Sequence, residues 1–302
     1  MKKILAVSLT AMAAACGGAV NDGADSAGFD VAPQGVHRLA TGEATAARAA
    51  GTNGISYHGG PVMTGTNTTY VIWYGNWSGN SATTILTDLF KTIGGSSYFN
   101  INTTYTNAAG TRISNIANYG GSTTDNYSQG TSLSDAQVAA VVSSAITSGR
   151  LPRDASGVYF VLTSSDVTAS SGFCTQYCGW HRNTTVSGTS IKYSFVGNPD
   201  RCPTACEAQS TGPNGNAGAD GMASIIAHEL EETVTDPLGT AWYDSRGYEN
   251  GDKCAWTFGT EYTASNGSKY NMTFSKSGAT TRNYLIQQNW VNASGGYCAK
   301  SY

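Results

Sequence analysis

The chain has 302 residues, of which only 12% are charged, and its formal charge is -3 with 17 Lys and Arg. That balance provides no basic footprint for a phosphate backbone and sets nucleic-acid partners aside. Polar surface must come from Asn, Ser, Thr, Gly and the 17 tyrosines, a composition that suits an extracytoplasmic protein.

The first segment, MKKILAVSLTAMAAAC, has the layout of an export signal: Lys2 and Lys3, an apolar run from Ile4, then small residues before Cys16. It is too short for a membrane span. Its AAAC end is similar to a lipoprotein cleavage box, so Cys16 is the expected lipidation site and the membrane is met only through that anchor. The expected location is the outer membrane as a lipoprotein, or secretion. Residues 17–54 are rich in Ala, Gly, Asp and Thr, almost without aromatics, and read as a flexible tether. Residues 55–302 have the length of a single domain, expected to be a monomer.

Within it, TTYVIWYGNW (68–77) reads as a buried strand. SATTILTDLFKTIGG carries apolar residues at helical spacing before a Gly-Gly stop. RISNIANYG (112–120) reads as a second strand. SLSDAQVAAVVSSAITSGRLP is an amphipathic helix begun by Ser132 or Ser134, and GVYFVLTSSDV is a strand buried on both faces. WHRNTTV and SIKYSFVGN form a hairpin across Ser-Gly-Thr. ADGMASIIAHELEETVT is a third helix, with Asp220 as N-cap and Pro237 as stop. YNMTFS and NYLIQQNW supply strands in an irregular C-terminal part. The fold class expected is α+β with α/β-like order: a mixed sheet flanked by helices, a zincin-like active-site helix, and a C-terminal part tied by disulfides.

Six cysteines follow Cys16: Cys174, Cys178, Cys202, Cys206, Cys254 and Cys298. In an oxidising compartment an even set implies three disulfides, with pairing open and Cys254–Cys298 preferred. A four-thiolate zinc site from CTQYC and CPTAC is the competitor, disfavoured by its internal spacing.

The third helix concentrates charge. His228, Glu229, Glu231, Glu232 and Asp236 lie in a stretch where no Lys or Arg occurs between Arg201 and Arg246. At about 100° per residue, His228, Glu229 and Glu232 share one face, with Asp236 near it at the helix end, while Ala223, Ile226, Leu230 and Val234 form the other. The bland alternative is a solvated acidic face. Like charges at i,i+3 and i,i+4 repel, however, and the last turns of a helix disfavour anions. A bound cation resolves both.

H-E-x-x-E is a variant of the zinc motif H-E-x-x-H, in which the glutamate after the first histidine is the general base. It assigns His228 and Glu232 to the metal and Glu229 to water activation. A third ligand is sought in YENGDKC: Asp252 and Glu249 rank ahead of Asp236, and Asp236 ahead of His181. The cofactor expected is Zn2+, with Ca2+ as the alternative.

Four strings carry a wider resemblance: YHGGPVMTGTNTTYVIWYGNWS, GFCTQYCGWH, YSFVGNPDRCPTAC and GPNGNAGADGMAS. Together they resemble the phosphate-induced protein 1, or EXORDIUM-like, family in its bacterial-type form. The resemblance implies an exported, cell-wall-associated setting and no particular reaction, so the metal site rests on its own residues. Two functions stay open. One is an exported metal-dependent hydrolase, a zincin-type peptidase acting on a polypeptide. The other is a non-catalytic protein of the cell surface or wall, carbohydrate-binding or signalling, with a structural metal and a wall polymer stacked on Trp73, Trp77, Trp180 or Trp242. No G-x-S-x-G elbow supports serine chemistry.

Overall fold

The computed structural model describes residues 54–302. The signal segment, Cys16 and the tether up to residue 53 lie outside the described residues. A five-stranded sheet organises the rest. Its strands are β1 (Asn67–Tyr74), β2 (Ala117–Asp125), β3 (Gly157–Thr163), β4 (Gly179–Val186) and β5 (Thr189–Val196), in the order β2-β1-β3-β5-β4. The first four in that order run parallel, and β4 is an antiparallel edge strand.

Helices α1 (Ala82–Thr92) and α2 (Asp135–Thr147) are the crossovers, and α3 (Ala217–Thr235) follows β5. Right-handed crossovers in opposite directions put α1 and α2 on opposite faces. Accordingly α1 packs against α3, and α2 against β3, β4 and β5. The centre of the sheet is dry: Val71, Ile72, Val158, Phe160, Val161, Leu162 and Phe195 are fully buried. Among the described residues no helix is long and apolar enough to cross a membrane.

The expected mixed sheet and flanking helices are present. α2 begins at Ser134, whose hydroxyl accepts the Gln137 N–H while Gln137 returns to the Ser134 N–H, a reciprocal capping box. The hairpin is tighter than the sequence suggests. Ser187 and Gly188 both take positive φ, 47° and 79°, as a two-residue turn requires.

Three expectations need correction. The second strand is Ala117–Asp125, not 112–120: Ile113 is buried ahead of it, and Ile116 is exposed. The third helix starts at Ala217, because the Asn216 side chain accepts the Ala219 N–H at 3.0 Å. Asp220 lies inside the first turn and instead accepts the Asn214 N–H and Nδ2–H. NYLIQQNW is also divided between two short pairings, Arg282–Tyr284 with Met272–Phe274, and Asn289–Val291 with Tyr297–Ala299.

Three disulfides close the chain: Cys174–Cys202, Cys178–Cys206 and Cys254–Cys298. They overturn the four-thiolate alternative, since paired sulfurs leave no thiolate for a metal. They also mark an oxidising, extracytoplasmic setting. The C-terminal part is bound to α1 by the Arg282 guanidinium on Asp88, at 2.7 Å, and by the Tyr284 hydroxyl, which donates to the Ile85 carbonyl at 2.7 Å.

Candidate metal centre

α3 has no wet face. Its last turns carry His228, Glu229, Glu231 and Glu232, and none is more than 1% exposed. The solvated acidic face is therefore excluded, and each charge must be neutralised inside the protein. Helical spacing does the first part. His228 and Glu232, four residues apart, bring Nε2 and Oε1 to 2.9 Å.

The loop after α3 does the second. Asp236 ends the helix and Pro237 prevents its continuation. The chain then returns through Glu249 to Asp252. The Glu249 N–H donates to Asp252 Oδ2 at 3.1 Å, and the Asp252 N–H donates to Glu232 Oε1 at 3.0 Å. Asp252 Oδ1 comes to 3.6 Å from His228 Nε2. The turn can approach this closely because residue 251 is glycine: a Cβ there would lie 2.8 Å from His228 Nε2 and 2.9 Å from Glu232 Oε1. The Cys254–Cys298 disulfide anchors the short 3-10 helix Asp252–Cys254 that contains the ligand candidate.

The edge strand supplies a residue that ranked last in the sequence. His181 on β4 is buried, with Nε2 at 3.0 Å from Glu249 Oε2 and 3.7 Å from Glu232 Oε2. Gly179, two residues earlier on the same strand, is the second place where a missing Cβ is needed, since one would lie 2.5 Å from Ile225 and 3.0 Å from Glu229 Oε1. No local pattern marks His181. Only the pairing of β4 with β5 and the return of the 249–252 turn bring it to the acids.

Two overlapping sets of donors result. His228, Glu232 and Asp252 form one, and His181, Glu229 and Glu232 the other, with donor atoms in each within 4.8 Å of one another. Glu249 touches the second through His181. The remaining acids are used elsewhere. Glu231 Oε2 accepts from Asn289 Nδ2 at 2.8 Å. Asp236 Oδ1 accepts the N–H groups of Thr240 and Ala241 at 2.6 and 2.8 Å, which secures the turn after the helix.

Electrostatics reflects the crowding. Burial drives the Glu231, Glu232 and Glu249 carboxyls upward, with neighbouring acids adding to it for Glu232 and Glu249. Burial opposes charge on His228, but Glu232, Asp252 and Glu229 outweigh it and hold the imidazolium well above its ordinary range. Burial lowers His181 to about 4. Protons relieve such repulsion in one way, and a divalent ion in another. The donors fit an ion: His228 Nε2 is close to Glu232 and Asp252, at 2.9 and 3.6 Å, without the alignment of a hydrogen bond to either, and Glu249 Oε1 has no hydrogen-bond partner. Lys253, next to Asp252 in sequence, is engaged with Asp244 at 2.9 Å.

The aromatic candidates for sugar stacking are not arranged as a platform. Trp73, Trp77 and Trp180 belong to the core. Trp242 is half-buried, donates its Nε1–H to the Thr106 carbonyl and packs against Tyr57 and Tyr105.

Comparison with known proteins places the whole described domain in one sequence group. Residues 55–300 match the family profile described as Phosphate-induced protein 1 conserved region. Protein EXORDIUM-like 3 of Arabidopsis thaliana is 33% identical over 284 residues, covering 81% of this chain and 82% of that protein. Protein EXORDIUM-like 5 of the same plant is 32% identical, covering 78% and 75%. Protein PHOSPHATE-INDUCED 1 of Nicotiana tabacum is 27% identical, covering 63% and 67%. No solved structure matches.

Proposed function

The chain belongs to the phosphate-induced protein 1 family, and from that premise we propose that this member is an exported metal-dependent hydrolase of zincin type acting on polypeptide. The observation that carries the reading is the convergence of His228, Glu232 and Asp252 in a buried site, with His228 Nε2 at 2.9 and 3.6 Å from the two carboxylates and aligned as a hydrogen bond with neither. Imidazole nitrogen with carboxylate oxygen suits zinc. Calcium would favour six to eight oxygens and gain little from the nitrogen.

Bound there, zinc would polarise a scissile carbonyl and acidify a water. Glu229, next to His228 on the helix, is the general base of this reading, taking the proton of that water and passing it to the leaving amine. His228 and Glu232 are oriented by α3, and Asp252 by its disulfide-tied turn. A helix under a mixed sheet is also shared with zinc-dependent peptidases, at the level of fold analogy. Retention at the outer membrane through lipid on Cys16 belongs to the same proposal.

A second reading, a purely structural ion in a wall-associated protein, is favoured by one observation. The ligand candidates are buried, and the His181–Glu249 contact joins β4 to the C-terminal part across the site. Elemental analysis and a casein-type substrate separate the two. For the hydrolase, Glu229→Gln lowers turnover about 100-fold or more while the ion at His228 is kept. A wild-type protein that carries zinc and shows no Glu229-dependent hydrolysis is structural.

A further inference from the structure

We propose that the centre holds two divalent cations bridged by Glu232, one against His228 and Asp252 and the other against His181 and Glu249. The proposal rests on the first ion as assigned above and extends it to a second. The two oxygens of Glu232 are divided between two imidazoles: Oε1 lies 2.9 Å from His228 Nε2, and Oε2 lies 3.7 Å from His181 Nε2. Ligands with bonds of about 2.0–2.1 Å around a tetrahedral ion stand about 3.3 Å apart. The contacts of His228 with Glu232 and Asp252, at 2.9 and 3.6 Å, and of His181 with Glu249 and Glu232, at 3.0 and 3.7 Å, bracket that separation. A carboxylate with one oxygen on each ion is the usual link in centres whose metals lie about 3.5–4 Å apart.

Charge agrees with the count. Glu229, Glu232, Glu249 and Asp252 surround the two histidines, and four carboxylates balance two divalent cations. Glu231 and Asp236 stand outside this tally, bonded to Asn289 and to the turn amides. An acidic cluster alone would carry nothing. Here two fully buried atoms without hydrogen-bond partners, His228 Nε2 and Glu249 Oε1, lie one on each half. Glu229 closes the side of the second ion and can hold the water that both ions acidify.

The test is the metal content of the full chain, stripped with chelator, reloaded with Zn2+, and read by native and elemental mass spectrometry. Two ions per chain are expected. One ion overturns the proposal and leaves the hydrolase reading standing, whereas none overturns both. His181→Gln should retain one ion and His228→Gln one, while Glu232→Ala should lose both; unchanged stoichiometry in His181→Gln overturns the assignment. Because these variants can fail to fold, the wild-type chain loaded with Mn2+ supplies an independent reading. An exchange-coupled pair in its electron paramagnetic resonance spectrum is expected, and isolated Mn2+ signals rule out a shared Glu232.

Discussion

Asp236 shows how a carboxylate beside the proposed metal centre can serve the backbone instead. Its Oδ1 already accepts two amides, whereas its buried Oδ2 has no hydrogen-bond partner. Burial raises its pKa to about 6, against the lowering by those amides. Between about pH 4 and pH 6 the folded chain therefore holds a proton that the unfolded chain has released, so stability falls as pH rises through this window. Asp236→Asn keeps the Oδ1 bonds and removes the charge. It should reduce that slope by the Asp236 share, leaving the part due to Asp220, which burial also raises to about 6, and add on the order of 1–3 kcal/mol at pH 7; urea titrations at pH 4, 5, 6 and 7 measure it.

Glu231 provides the complementary case, because burial pushes its carboxyl far up and Asn289 donates to it. Held neutral, it resembles an amide. Glu231→Gln should change stability by less than about 1 kcal/mol, whereas Asn289→Ala should cost about 1–3 kcal/mol by leaving a buried oxygen unsatisfied. Denaturant midpoints of the two variants compare them directly.

At the scale of elements, what the sequence revealed follows burial. β1, β3 and β5 were legible as strands because their apolar, β-branched runs are buried between helices. β2 was not. Its ANYGGSTTD lies on an edge, buried only at Ala117 and Asp125 and alternating exposed and half-buried between them, with almost no apolar residue to mark its extent. α3 was legible in type and at its end, where Pro237 stops it, but not at its start. Asp and Asn are equivalent caps by propensity, and only Asn216 is placed to reach the Ala219 N–H. Its amide also donates to Asn80 Oδ1 and Ser81 Oγ, which ties α3 to the start of α1. Asn216→Ala should therefore cost about 1–2 kcal/mol, at the upper end of the capping range, as a lowered melting temperature with metal stoichiometry intact.

The whole molecule decides which acids meet. His228, Glu229 and Glu232 were readable from one helix, and Asp252 and Glu249 from the strength of a turn beside a cysteine. His181 needed the sheet, since it lies 47 residues before His228 in sequence and joins the centre only through strand pairing. The Cys254–Cys298 disulfide is the corresponding long-range device on the other side. It spans 44 residues, fixes the end of the Asp252–Cys254 helix, and is reinforced by the Asn289–Val291 pairing with Tyr297–Ala299. Replacing both cysteines by serine frees the unfolded chain and loosens the Asp252 turn at once. Unfolding should become easier by about 2–5 kcal/mol, which for a domain of this size is roughly 5–15 °C in melting temperature. The metal adds a distinguishing measurement. With zinc at the proposed site, saturating metal should raise the melting temperature of the wild-type chain in proportion to the logarithm of its affinity, so a weakened turn must give the double variant a smaller zinc-dependent shift. An equal shift in both proteins would mean that the disulfide stabilises the fold without positioning Asp252.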